Sequence, residues 1–517
     1  MTSFASSGAS LFAGGPASRS VALRAIASPA RHPTPARPLP RTADPSVVVL
    51  VADGARPDTL RDALARGALP AMAALAREGG LHEVTSCFPS VTGPAYAPFL
   101  MGRFPGPIGL PGLRWFDRAR ATCTFPDYTR SYVGYQMRAL DRDLDAAAPT
   151  VFELVPESIA ALSVIGRGLP KSGRVAELSV TSAVRAARTH FRGDVRGWLG
   201  IDREVSDAVT RRVRESHPRF TFAALTGVDK TSHAEGHDAP VVHEALRIVD
   251  DAVATLRADA ERDGRWGSML LMVVSDHGHS PVRAHEDLVG LVAGAGHRAI
   301  AHPWVFALRP DVAVMVSGNA MAHLYVELEQ RRRPSWPALR PRWSPLLELL
   351  LSRESVDLVL LPFDEHRCQV QGRGRGRAMV EHTPHEDPLR VRYRYRRDSG
   401  DPLGIGTDFE GDAREAYDAT IATDYPDSLV QIAHLAGAPR SGEIIVSASR
   451  DWDFRARYEP IPHVSSHGAL HREHMRVPLL VNRPVAGTPR RTVDVMPTAL
   501  AHLGVEVPRG LDGESFL

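Results

Sequence analysis

Three carboxylates, three imidazoles and one hydroxyl sit where apolar runs of this sequence stop. The run Leu270-Leu271-Met272-Val273-Val274-Ser275 ends at Asp276-His277-Gly278. Val47-Val48-Val49-Leu50-Val51-Ala52 ends at Asp53-Gly54, and Phe220 to Thr226 leads into Asp229, with His233 four residues later. A late segment adds His467 before Gly468, and Thr92 lies in the stretch Cys87 to Gly102. Adjacent Asp and His can reach one ion when a following glycine lets the chain turn sharply. Carboxylate and imidazole donors together suit zinc, with manganese or iron as alternatives. One Asp-His pair alone is a weak signal, because polar turns after core strands are common. Here three strand ends repeat the theme.

Groups so far apart in sequence need elements whose ends meet. The apolar runs are short, partly β-branched and unbroken, as strands buried on both faces are. A parallel sheet gathers such strand ends at one edge, where open α/β sheets place their chemistry. Helical periodicity fills the intervals. Pro57 opens a helix with apolar positions at Leu64, Leu69, Met72 and Leu75, and Gly79-Gly80 ends it. Asp202 to Arg214 turns Val205, Val209 and Val213 inward, and Pro240 to Asp263 does the same with Leu246, Val249, Val253 and Leu256. Strand and helix therefore alternate as in a doubly wound α/β sheet.

Between about 312 and 412 the texture changes. His323 to Leu328 and Leu389 to Tyr395 alternate with period two, which predicts one wet face on each. The expected architecture is a mostly parallel central sheet flanked by helices, carrying a small antiparallel α+β insert. The expected division is a disordered tail over 1–45, a first core part over 46–311, an inserted cap over 312–412 and a last core part over 413–517. The core resumes at the strand Glu443 to Ala448, followed by Val477 to Val481 and a closing helix from Val495 to Leu503.

Composition narrows the class. With 517 residues, 43% of them hydrophobic, the chain can bury a large core. A formal charge of +2 gives no global pull toward nucleic acid, and the arginines of the insert are interspersed with acids. Three scattered cysteines provide no disulfide framework. No apolar run is long enough to span a bilayer, and no secretory signal is readable, which points to the cytoplasm. The acid-poor N-terminus also has the texture of an organelle transit peptide.

Five ordered motifs resemble the nucleotide pyrophosphatase/phosphodiesterase branch of the alkaline phosphatase superfamily. They are Val51-Ala52-Asp53-Gly54, Phe88 to Thr92, Asp229 to His233, Ser275-Asp276-His277-Gly278 and His467-Gly468. The tail from Asp494 to Gly513 resembles the superfamily's last helix, so the likeness runs from about residue 46 to the end. The resemblance implies two divalent ions, zinc foremost. One would be held by Asp53, Asp276, His277 and the Thr92 oxygen, the other by Asp229, His233 and His467. Two such ions against three carboxylates leave a net positive charge that attracts a phosphoryl group. Thr92 would be the nucleophile, passing through a phosphothreonine, on a small phosphate ester or nucleotide.

One departure from the family pattern matters. The segment after the nucleophile reads Pro105-Gly106-Pro107-Ile108-Gly109-Leu110-Pro111-Gly112-Leu113-Arg114, and Leu113 stands where the family has a phosphoryl-binding Asn. Gly93, Arg114 and Lys230 are the substitute anion contacts. A phosphomonoesterase or phosphonate hydrolase is the alternative activity, and a metal-binding relative without catalysis is the alternative from another class. His237 and His279, just past ligand positions, are expected either beside the ligands or in solvent.

Overall fold

The computed structural model describes residues 44–121, 128–176, 189, 193–302, 308–454 and 463–517. The expected disordered tail lies outside the described residues but for its last two positions.

The strand Ser46–Ala52 runs through the middle of a seven-stranded sheet. Phe220–Leu225 pairs with it on one side and Met269–Val274 on the other, both parallel. Ser158–Ala161 and Arg174–Val175 extend the parallel part, while Arg476–Val481 and Leu81–Thr85 close the opposite edge antiparallel. Alternation within the central strand explains its unbroken apolar sequence. Val47, Val49 and Val51 face one cluster of buried side chains, and Val48, Leu50 and Ala52 face another. Each fully buried aliphatic side chain contributes about 1.5–3 kcal/mol of transfer free energy.

Register carries the chemistry to one edge. Ala52 lies opposite Leu225, and Val51 opposite Val274. Asp53, Asp229 and Asp276 therefore leave the carboxyl ends of three adjacent strands.

The expected long helix after the first strand is two helices, Pro57–Ala65 and Pro70–Glu78. Gly67, at φ +67°, turns the chain between them, and Pro70 starts the second at its first position. The helix Val195–Ser216 contains the predicted 202–214 segment, and Pro240–Arg262 matches its prediction.

The second sheet has nine strands, larger than the small insert expected. Ala299–Ile300 precedes the 312–412 segment, and Ile444–Ala448 follows it, yet both pair into this sheet. Ile444–Ala448 lies between Met321–Val326 and Val356–Pro362 rather than in the core sheet. Met321–Val326 has no wet face, contrary to its alternating sequence. His323 is buried because its Nε2 bonds the Pro111 carbonyl at 2.9 Å and its Nδ1 accepts the Gly442 N–H at 3.2 Å. Arg392–Gly400 does alternate, burying Tyr393 and Tyr395. No described helix is long and apolar enough to cross a membrane.

The hairpin between Val312–Ser317 and Met321–Val326 is what joins this sheet to the strand ends. Its Gly318 and Asn319 are both left-handed, at φ +65° and +60°. Ser317 Oγ accepts the backbone N–H of Leu113 at 2.5 Å, and Asn319 bridges His467 through the backbone. A side chain at Gly318 would strike Val91 and Gly468, so the tip lies directly against the loops on either side.

Candidate active site

Asp53 follows the central strand, is 1% exposed, and forms the floor of the site. Thr92 stands over it, with Oγ1 at 3.3 Å from Asp53 Oδ1 and 3.1 Å from His277 Nε2. Thr92 is partly exposed whereas Asp53, Asp276 and His277 are buried, so the hydroxyl is the group an incoming molecule meets. Behind it the short helical segment Pro94 to Met101 carries Tyr96, whose hydroxyl donates to Asp53 Oδ2 at 3.2 Å. Sequence reading passed over Tyr96. Its place four residues past Thr92, one turn on, was the available signal.

Asp229 and His233 share the helix Gly227–Glu235, four residues apart on one face. Asp202 builds that helix start, accepting the N–H groups of Thr226 at 3.0 Å and Gly227 at 2.7 Å. Asp229 Oδ1 then gathers imidazoles. His279 Nε2 lies at 2.9 Å, His233 Nε2 at 3.3 Å and His467 Nε2 at 3.5 Å. Donor atoms of Asp229, His277, His279 and His467 all lie within 4.8 Å of one another, as do those of Asp53, Asp276 and His277. The rings of His277 and His467 stack at 3.6 Å, joining the two groups. His279 is fully buried among them, which settles its two expected placements, while His237 is half-buried with its carbonyl bonded to Thr59. His463 stacks on His233 at 4.5 Å.

Hydrogen bonds fix what these nitrogens present. Nδ1 of His233 faces the Ser465 carbonyl at 2.9 Å, that of His467 the Ser90 carbonyl at 3.0 Å, and that of His277 the Gly278 carbonyl at 3.2 Å. A carbonyl only accepts, so each Nδ1 carries a proton, and in the neutral ring each Nε2 presents a lone pair. Those lone pairs point at carboxylate oxygens. Asp276 Oδ2 is buried 3.5 Å from His277 Nε2 and has no hydrogen-bond donor among the described residues. Acceptors facing acceptors in a dry site repel one another, and a cation between them reverses the sign. The donor set therefore fits divalent metal.

Electrostatics agree. Burial, with Asp276 and Asp229 nearby, pushes the Asp53 carboxyl well above its usual range, and burial also raises Asp276. Burial pulls Asp229 the same way, but Lys230 and His233 prevail and hold it well below. Lys230 Nζ is 2.8 Å from Asp229 Oδ2. Burial keeps His467 neutral far below the ordinary imidazole range and pushes His279 down to about 3.

The remaining expected contacts are placed less directly. Gly93, at φ +97°, follows Thr92, and a side chain there would lie 3.5 Å from Leu113 Cδ1. Leu113 thus lines the nucleophile loop with carbon. Arg114 begins the strand Arg114–Phe116, and its Nη1 lies 3.4 Å from the Val316 carbonyl.

A parallel sheet with carboxylates and imidazoles converging on a hydroxyl at its carboxyl edge defines a metal-dependent hydrolase of the alkaline-phosphatase-like fold. The family model described as type I phosphodiesterase / nucleotide pyrophosphatase matches residues 47–470, and the chain belongs to that family of phosphoester hydrolases. Among solved structures, phosphonoacetate hydrolase from Sinorhizobium meliloti 1021, in complex with phosphonoacetate, is 16% identical with a TM-score of 0.53. That match covers 89% of this chain and 96% of the other. Human ectonucleotide pyrophosphatase / phosphodiesterase 5 is 14% identical with a TM-score of 0.52, over 90% of this chain and 96% of its own. The murine counterpart, an inactive form in complex with AMP, is 13% identical with the same TM-score, over 90% and 97%. These likenesses concern the fold. No curated protein matches by sequence.

Proposed function

We propose that this protein hydrolyses phosphodiesters or nucleotide pyrophosphates by passing the phosphoryl group to Thr92 and then to water. Asp53, Asp276, His277 and the Thr92 oxygen would hold one divalent ion, and Asp229, His233 and His467 another, with zinc the best fit to these donors. Bound divalent ions supply the positive charge that favours an ionised hydroxyl and offsets the charge of a phosphoryl group. The observation that carries this reading is the position of Thr92 Oγ1, half-open to solvent yet 3.1 Å from His277 Nε2 and 3.3 Å from Asp53 Oδ1.

In the first step Thr92 Oγ1 forms a bond to phosphorus in line with the departing ester oxygen, losing its proton as that oxygen leaves. Tyr96 and His277 hold the nucleophile's surroundings in place from behind. In the second step water attacks the phosphorus of the Thr92 ester from the opposite side, freeing the phosphate monoester that keeps the remaining ester group and restoring the hydroxyl. The backbone N–H of Gly93 is the donor nearest in sequence to the reacting oxygen. Arg114 has no assigned part, since its guanidinium is turned toward the Val316 carbonyl. A monoester or phosphonate substrate is the second reading, because phosphonoacetate hydrolase shares this fold.

The test is a substrate panel on zinc-loaded protein: bis(p-nitrophenyl) phosphate, a p-nitrophenyl nucleotide ester, p-nitrophenyl phosphate and phosphonoacetate. The diester reading expects the highest kcat/KM on the first two, and rapid quenching should trap the phosphoryl group, still carrying its remaining ester, on Thr92. Protein that holds metal, turns over none of the four and never carries a phosphoryl group on Thr92 would overturn the proposal.

A further inference from the structure

We infer that His279 is a direct ligand of the Asp229-centred ion, giving that ion three imidazoles and one carboxylate. The inference rests on the metal-site reading above and adds to it a residue outside the Asp229, His233 and His467 set. Three observations carry it.

The first is the direction of the ring. His279 Nδ1 lies 3.2 Å from Ser465 Oγ, and that hydroxyl donates its only hydrogen to the Ser280 carbonyl at 3.0 Å. Toward His279 the hydroxyl can therefore only accept, so Nδ1 carries a ring proton, and in the neutral ring Nε2 presents a lone pair. That lone pair points at Asp229 Oδ1 from 2.9 Å, closer than His233 or His467. Neutral rings put three bare nitrogens around one carboxylate oxygen with no hydrogen to share among them. A cation satisfies all four donors together.

The second is proximity. The donor atoms of His279, Asp229 and His467 lie within 4.8 Å of one another, a spread one coordination sphere can draw together, and His233 Nε2 lies 3.3 Å from the same Asp229 oxygen. The third is space. Gly54 stands opposite at φ +80°, and a side chain there would come 2.9 Å from His279 Nε2 and 3.0 Å from Asp229 Cα. The chain thus keeps the volume in front of Nε2 clear. Arg56 Nη1 fixes the His279 backbone by donating to its carbonyl at 2.6 Å.

The same serine serves two ligands. Its carbonyl orients His233 and its hydroxyl orients His279, so Ser465 sets both tautomers from one position. An ion bound by three imidazoles favours zinc over manganese or magnesium, which prefer oxygen donors.

Cobalt-substituted protein tests the inference directly, because each bound imidazole with a protonated Nδ1 gives one solvent-exchangeable proton resonance shifted far outside the normal range. Four are expected, from His233, His277, His279 and His467. His279→Gln should remove one, or remove all those of the Asp229 site if that ion is lost. Its zinc affinity at one site should fall by more than the roughly 10–100-fold that an outer partner costs. Three resonances in both wild type and variant would overturn the inference and make His279 a cationic donor to Asp229. Because the wild-type count stands alone, a variant that fails to fold does not decide the matter. Three resonances on an active enzyme refute only the role of His279. Four on a protein that hydrolyses no phosphoester refute only the proposed activity. A protein that takes up no cobalt refutes both.

Discussion

Replacing Gly54 by alanine puts the geometry of the metal edge to the most demanding test. The residue follows Asp53 at φ +80°, and its missing side chain would lie 2.9 Å from His279 Nε2 and 3.0 Å from both Asp229 Cα and Cβ. Two costs add. A non-glycine residue held in a sparsely populated backbone region costs about 1–3 kcal/mol. Forcing a methyl group against rigid neighbours costs roughly another 1–3 kcal/mol. The neighbours here are a helix backbone and an imidazole fixed by Ser465, so neither moves without moving a metal donor. Gly54→Ala should therefore lose about 2–6 kcal/mol in total, concentrated at the site. Urea unfolding at a fixed free zinc concentration measures the stability, and elemental analysis of the same samples measures the metal. A shift of Asp229 approaching 1 Å would also cost about 100-fold in kcat/KM. A variant with wild-type stability, metal content and turnover would refute the close packing of Gly54, Asp229 and His279.

Thr92→Ala should lower kcat at least about a thousand-fold while metal analysis finds most of the metal retained, because it removes the nucleophile but one ligand among several. Full turnover in that variant would exclude the covalent route. Tyr96→Phe removes the donor to Asp53 Oδ2, and competition with a chromophoric chelator should show weaker zinc binding at one site by about 10–100-fold, as for other outer partners. Chelation should abolish hydrolysis and lower the melting temperature, and zinc should restore both. Stabilisation by a ligand at a hundred times its Kd is about 2.7 kcal/mol per site, so a calorimetric shift near zero would contradict metal binding. Asp202 supplies the pH test. Burial raises its carboxyl from 3.8 to about 7, so the folded protein keeps this proton where the unfolded chain has lost it. The stabilisation is complete below pH 3.8 and is lost as pH rises to about 7, roughly 4 kcal/mol for three units. Unfolding free energies of wild type should therefore fall relative to Asp202→Asn across that window, and parallel profiles would count against it.

What could be read from the sequence follows from how many constraints each element satisfies. Val47 to Ala52 and Leu270 to Val274 were legible because both faces of these strands are covered, leaving no polar residue to blur them. Their terminal aspartates were legible for the same reason. Ile444–Ala448 was just as visible as a strand, but its apolar run carries no mark of which sheet it enters. The alternation at His323 suggested solvent because nothing local reveals Pro111 and Gly442 as partners for its ring. The helix that carries Asp229 and His233 was not legible because it is started by Asp202, more than twenty positions earlier. Tyr96 and Ser465 were missed because each acts through another side chain, and sequence shows spacing, not contact.

The order of strands in the two sheets has a consequence for how the chain is made. Arg476–Val481 lies inside the first sheet, between Leu81–Thr85 and Met269–Val274, and Ile444–Ala448 lies inside the second. Both interior strands, and His467 between them, leave a ribosome later than the strands they pair with. A nascent chain stopped before residue 444 therefore holds two sheets that each lack an interior strand, with open edges on either side of the gap. Such edges are templates for pairing with other chains, so the partly made protein depends on protection that the finished one does not need. Pairing across such distances in sequence also slows folding. Metal uptake during synthesis would then report that both sheets can close, because the last imidazole arrives between the two strands that fill them.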